Sequence, residues 1–219
     1  MHLRVAQHLY LIKAAVFVLC LLPLIKLTLE TFGLGGSTLG ANPVEEILHR
    51  LGKWGLIFLL VTLAISPLRR WTGQNWVTGL RRMLGLYAFF YVSAHFLAYA
   101  LLDQGLSLAA IGEDIAKRPY ITIGIAALIF LVPLAMTSTN GMIRRLGRRW
   151  KPLHRLSYGI AVLGVWHFYW QVKEDILEPL IYAGVLGCLL GERVLNCWQR
   201  LRRRRPGMQL WPGEQADTA

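Results

Sequence analysis

Three of the six histidines stand where ionisable side chains are expensive, because His95 and His167 fall inside long apolar stretches and His154 opens one of them. His95 lies 14 residues beyond the basic pair Arg81–Arg82, and His167 lies 13 residues beyond His154, which closes the basic run RRLGRRWKPLH (144–154). At about 1.5 Å per helical residue, both climb roughly 20 Å from the basic end of their segments. They therefore reach the same depth on two different helices. Two neutral imidazoles at equal depth on facing helices suit axial ligation of a b-type haem. The competing reading is that each histidine hydrogen-bonds a neighbouring helix, as polar groups in bundles do. A depth-matched pair, with His154 as a third histidine on the same segment as His167, favours haem. At about 100° per residue, His154 and His167 fall on different faces of a straight helix, with Gly159 and Gly164 between them. His2 and His8 read as solvated residues of an N-terminal arm, and His49, beside Arg50 and Lys53, as an interfacial polar residue.

The elements that must carry these side chains follow from composition. Of 219 residues, 55% are hydrophobic and only 16% charged, and the mean hydropathy is +0.43, whereas an ordinary soluble domain is roughly 25% charged. A helix needs about 20 mostly apolar residues to cross roughly 30 Å of hydrocarbon. Six stretches qualify, at 11–30, 51–68, 83–102, 120–137, 155–172 and 179–196. The expected fold is an all-α, polytopic integral membrane six-helix bundle. It comprises an arm over 1–10, the bundle over 11–196 and a basic tail over 197–219. The first stretch has a basic start, but no small-residue cleavage site follows it and Lys26 and Glu30 interrupt its end, so it reads as an uncleaved span. No internal repeat stands out.

Charge sets the orientation. With both termini on the cytoplasmic side, 18 of the 24 Lys and Arg lie inside, including Arg69, Arg70, Arg81, Arg82, the loop 144–155 and the tail. Most of the acids, Glu45, Glu46, Asp103, Glu113, Asp114, Glu174, Asp175 and Glu178 among them, lie outside. That is the positive-inside pattern. The net charge of +12 is then a topological signal whose partner is anionic membrane lipid, and nucleic acid is not expected as a partner. Three cysteines without a CxxC pair exclude a disulfide framework, a zinc ribbon, an iron–sulfur cluster and covalent c-type haem. No GxGxxG follows a strand and no GxSxG is present, which argues against dinucleotide binding and serine hydrolysis.

In order along the chain, GANPVEEILH (40–49), RRMLGLYAFFYVSAHFLAYALL (81–102), RPYITIGI (118–125), TSTNGMIRRLGRRWKPLHRLSY (137–158), HFYWQVK (167–173) and PLIYAG (179–184) closely resemble the MsrQ family. These are haem-binding membrane subunits of bacterial protein-methionine-sulfoxide reductase systems, within the ferric-reductase-like transmembrane superfamily. The resemblance implies an inner-membrane protein whose haem-ligand histidines are His95, His154 and His167. Larger members of the superfamily carry a fourth histidine where this chain has Arg81 and Arg82. It further implies that this subunit transfers electrons and leaves substrate chemistry to its partner. Electrons would come from the quinone pool or a cytosolic flavin reductase, and would pass through haem to MsrP, the periplasmic molybdopterin subunit. FMN is a second cofactor implied by the family. The alternatives are a quinol-linked cytochrome b or ferric reductase with another acceptor, and, from a different class, a small six-helix transporter.

Overall fold

Asn42 and Pro43 begin a helix earlier than hydropathy predicts. The Asn42 side chain accepts the Glu45 N–H, and Pro43 occupies a first-turn position where its missing N–H is no loss. Eight polar-rich residues ahead of residue 51 are thereby helical, including Leu48 and His49. The computed structural model describes residues 2–34, 39–172 and 176–203. Glu174, Asp175 and most of the expected tail over 197–219 lie outside them. The elements are α1 (His2–Thr31), α2 (Pro43–Thr72), α3 (Arg81–Ala98), α4 (Leu108–Lys117), α5 (Pro119–Met136), α6 (Asn140–Leu146), α7 (Trp150–His154), α8 (Leu156–Gln171) and α9 (Leu177–Arg203). A 3₁₀ turn over Asn75–Leu80 leads into α3, and a π turn over Tyr99–Asp103 continues it. Among the described residues there is no strand.

The all-α membrane architecture holds, with five helical segments among the described residues long and apolar enough to cross a bilayer. The expected crossing over 155–172 is the 16-residue α8, shorter than the roughly 20 residues a full span needs. The loops also contain helices that hydropathy alone does not reveal. One is α4, whose Ser107 cap accepts the Ala110 N–H. Another is α7, which ends at His154 and is capped by Arg155, whose N–H turns back to the Pro152 carbonyl. This single tight turn, with Arg155 still in the right-handed helical region, separates His154 from α8.

Two antiparallel pairs, α2 with α3 and α5 with α8, form the centre of the bundle. Leu59, Leu63, Tyr91, Leu131 and Ala161 lie in one continuous buried core. α1 packs on the first pair through tyrosine hydroxyls. Tyr87 donates to the Phe17 carbonyl at 2.9 Å. Tyr91, fully buried, donates to Cys20 O at 2.8 Å and accepts from Leu24 N–H at 3.2 Å. Cys20 and Leu24 are four residues apart, so the hydroxyl stands within a hydrogen-bond step of the α1 ladder, next to Pro23. Removing it leaves a partly buried N–H without this acceptor. Tyr91→Phe should lower stability by about 1 kcal/mol, read as a lower unfolding midpoint in detergent, while Phe90→Tyr on the exposed neighbour should not.

Candidate functional site

The two central helix pairs place His95 and His167 by the same device. His95 Nδ1 is 2.8 Å from the Leu48 carbonyl of α2, and His167 Nδ1 is 2.7 Å from the Tyr120 carbonyl of α5, each contact spanning 47 residues. A carbonyl only accepts, so in the neutral imidazole Nδ1 carries the proton and Nε2 keeps its lone pair. One turn further along each carbonyl-bearing helix stands a glycine. A Cβ at Gly52 would sit 3.2 Å from the His95 ring, and one at Gly124 would sit 2.9 Å from the His167 ring. Moving Leu48, Gly52 and His95 by the same 72 positions gives Tyr120, Gly124 and His167. The bundle therefore contains a spacing repeat that the sequence reading passed over.

The imidazoles face each other with ring centroids 6.2 Å apart and planes at 75°. A metal ion between them, with about 2 Å to each nitrogen, needs a centroid separation of roughly that size. They line a cavity of about 370 Å3, within the range of cofactor pockets, roughly 300–1,000 Å3. Its interior is apolar, with Leu56, Leu59, Val92, Leu128, Ile160 and Phe168 on the walls. Polar side chains of His49, Lys53, Tyr99, Arg118 and Gln171 also line it, and the partly exposed Lys53 and Arg118 mark its mouth. An apolar slot with two imidazoles inside and cations at the mouth fits an iron porphyrin bearing carboxylates.

Sequence reasoning set His49 aside as interfacial, yet it lines this cavity and its ring meets Phe168 edge-on at 5.6 Å. The signal lay in the early start of α2, which carries His49 inward of the helix end. Lys53 is paired with Glu178 at 2.6 Å. Arg118 joins Asp114 at 3.1 Å and donates to the Tyr120 hydroxyl at 3.4 Å. The Tyr120 bond first, and then the Asp114 charge, raise its pKa above the usual guanidinium value. These pairs fix the rim cations in place.

His154 lies apart from the cavity. Its Nε2 is 3.1 Å from Thr137 Oγ1, and its ring stacks on Trp150 at 4.0 Å. Trp150 in turn donates to the Thr137 carbonyl at 3.0 Å. The structure thus brings together two of the three predicted histidines and holds the third at the opposite end of α8.

A transmembrane bundle with paired histidines at one depth belongs to a recognised class. Residues 51–165, just over half the chain, match the family model described as ferric reductase like transmembrane component. That segment includes His95 and His154 and stops two residues short of His167. A protein-methionine-sulfoxide reductase heme-binding subunit MsrQ from Rhodospirillum rubrum is 54% identical over 196 residues, covering 89% of this chain and 91% of its own. The like-named protein of Xanthomonas euvesicatoria is 57% identical over 171 residues, with 78% and 77% covered. That of Ralstonia nicotianae is 49% identical over 196 residues, covering 88% of each. The chain belongs to the MsrQ family of ferric-reductase-like transmembrane proteins.

Proposed function

We propose that this chain is an electron-transfer subunit holding one b-type haem between His95 and His167. The observation that carries the reading is the pair of facing imidazoles, 6.2 Å apart, each with Nδ1 committed to a carbonyl of the neighbouring helix. The haem would supply a one-electron iron couple. The protein's part is positional. The Leu48 and Tyr120 carbonyls fix each tautomer and strengthen Nε2 as a donor. Gly52 and Gly124 let the rings lie against the backbone. The apolar walls exclude water, and Lys53, Arg118 and His49 offer donors to propionate carboxylates at the mouth.

His154, already bound to Thr137, has no ligand role at this haem. His154→Ala should keep most of the absorbance of the purified protein, with loss of the larger part counting against this assignment. In this reading α8 completes a sixth crossing, both termini are cytoplasmic and the membrane is the bacterial inner membrane. A reporter fused after Ala219 should be active only in the cytoplasm, and periplasmic activity would reverse the orientation.

Electrons then enter from the quinone pool or a cytosolic flavin reductase. They leave to the periplasmic molybdopterin subunit MsrP, where methionine sulfoxide of oxidised proteins is reduced. FMN at the basic inner face belongs to the same reading and rests on family resemblance. The relatives' printed name, the shared architecture and the position of the cavity mouth beside acidic Glu45, Asp103 and Glu178 support this direction. Stopped-flow reoxidation of the reduced protein tests it. The trace should be faster with the oxidised molybdenum subunit than with buffer, and identical traces would refute transfer to that partner.

A further inference from the structure

At the end of the bundle away from the cavity mouth, three arginines converge from three helices. Arg70 of α2 pairs with Glu192 of α9 through two contacts, one of them Nε to Oε1 at 2.9 Å. Glu192 also accepts from Asn196 Nδ2 at 2.6 Å, so its carboxylate is already engaged. Arg81 of α3 donates to the neutral hydroxyl of Ser66, one turn before Arg70 on α2, at 3.3 Å. Arg193, next to Glu192, lies over the Tyr158 ring of α8 at 4.3 Å. Ser66, the partner of Arg81, lies one turn before Arg70 on α2, and Glu192, the partner of Arg70, is the chain neighbour of Arg193, so these contacts bring the three groups to one end of the bundle. Among the described residues, neither Arg81 nor Arg193 has a carboxylate within ion-pair distance.

Three guanidinium groups therefore share one acid, and all three side chains are only partly exposed. Partly desolvated like charges repel, and holding them together requires a counter-charge. The planar guanidinium fork matches phosphate oxygens better than it matches a point anion. We infer that Arg70, Arg81 and Arg193 form a binding site for a phosphate group at the inner edge of the bundle. The site lies at the basic ends of α2 and α3, so a phospholipid headgroup and a soluble phosphate compound are two sources of the same chemistry. The inference is independent of haem ligation, because none of the three arginines lines the haem cavity.

The test uses the full chain, delipidated in neutral detergent. Phosphatidylglycerol, phosphatidylcholine and inorganic phosphate are added separately, and retention is read by native mass spectrometry with haem content measured in parallel. Wild type should retain one phosphate-bearing ligand per chain. Arg193→Gln and Arg81→Gln should each weaken retention about tenfold, as expected for losing charge-assisted hydrogen bonds. Arg155→Gln and Arg200→Gln, at exposed positions, should not. Retention of phosphatidylglycerol over the other two assigns the site to lipid, and retention of inorganic phosphate alone assigns it to a soluble compound. Should the glutamine variants fail to insert, Arg193→Lys keeps the charge, loses the fork and should still weaken retention. The inference is overturned if wild type retains none of the three probes. It is equally overturned if the site variants and the exposed controls retain a probe equally.

Discussion

His95→Ala and His167→Ala, made singly, should each abolish most of the haem absorbance of the purified protein while leaving it inserted in the membrane. Loss of a partner group behind a ligating histidine already costs about 10–100-fold in metal affinity, and removing the ligand itself should cost more. The two substitutions should have equal effect, because the structure gives each imidazole the same support, a carbonyl at 2.8 or 2.7 Å and a glycine one turn on. Haem quantitation against total protein reads the result. Full haem content with a low-spin spectrum in both variants would show that the pairing is wrong.

Gly124→Ala should have the second largest effect, and a larger one than Gly52→Ala. The added Cβ would come within 2.9 Å of the His167 ring, closer than side-chain carbons approach one another, against 3.2 Å from the His95 ring at Gly52. Neither imidazole can retreat without stretching its bond to Tyr120 or Leu48. Overpacking of this kind costs about 1–3 kcal/mol, here expected as faster haem loss and a lower unfolding midpoint. Gly159→Ala, where a Cβ meets nothing within 4 Å, is the control. Equal behaviour of Gly124→Ala and Gly159→Ala would remove the glycine from the account.

Much of this site is legible in the sequence. Depth-matching of His95 and His167 needs only the helical rise and the position of the basic residues, and the structure does bring the two rings together. The supporting shell is less visible, for identifiable reasons. Leu48 and His49 sit in the polar first turns of α2, ahead of the apolar run by which hydropathy marks a span, so the carbonyl that holds His95 lies outside the expected boundary. Gly52 and Gly124 look like ordinary membrane-helix glycines until their spacing to the histidines is compared. That comparison was open to inspection, since the same shift relates Leu48, Gly52 and His95 to Tyr120, Gly124 and His167. The separation of His154 from the pair is legible as well, since 13 residues of helix set it roughly 20 Å from His167. The arginine cluster at the inner edge was read as orientation signal alone. Positive-inside bias explains why such residues lie on one side, but not why Arg70, Arg81 and Arg193 converge there.

The most direct measurement of the central claim is electron paramagnetic resonance of the oxidised wild-type protein, with haem counted per chain on the same sample. One low-spin ferric haem with two imidazole ligands per chain is the predicted result, with its signal lost in His95→Ala and His167→Ala and retained in His154→Ala. A high-spin haem with a single histidine ligand, or a low-spin signal that disappears only in His154→Ala, would contradict it.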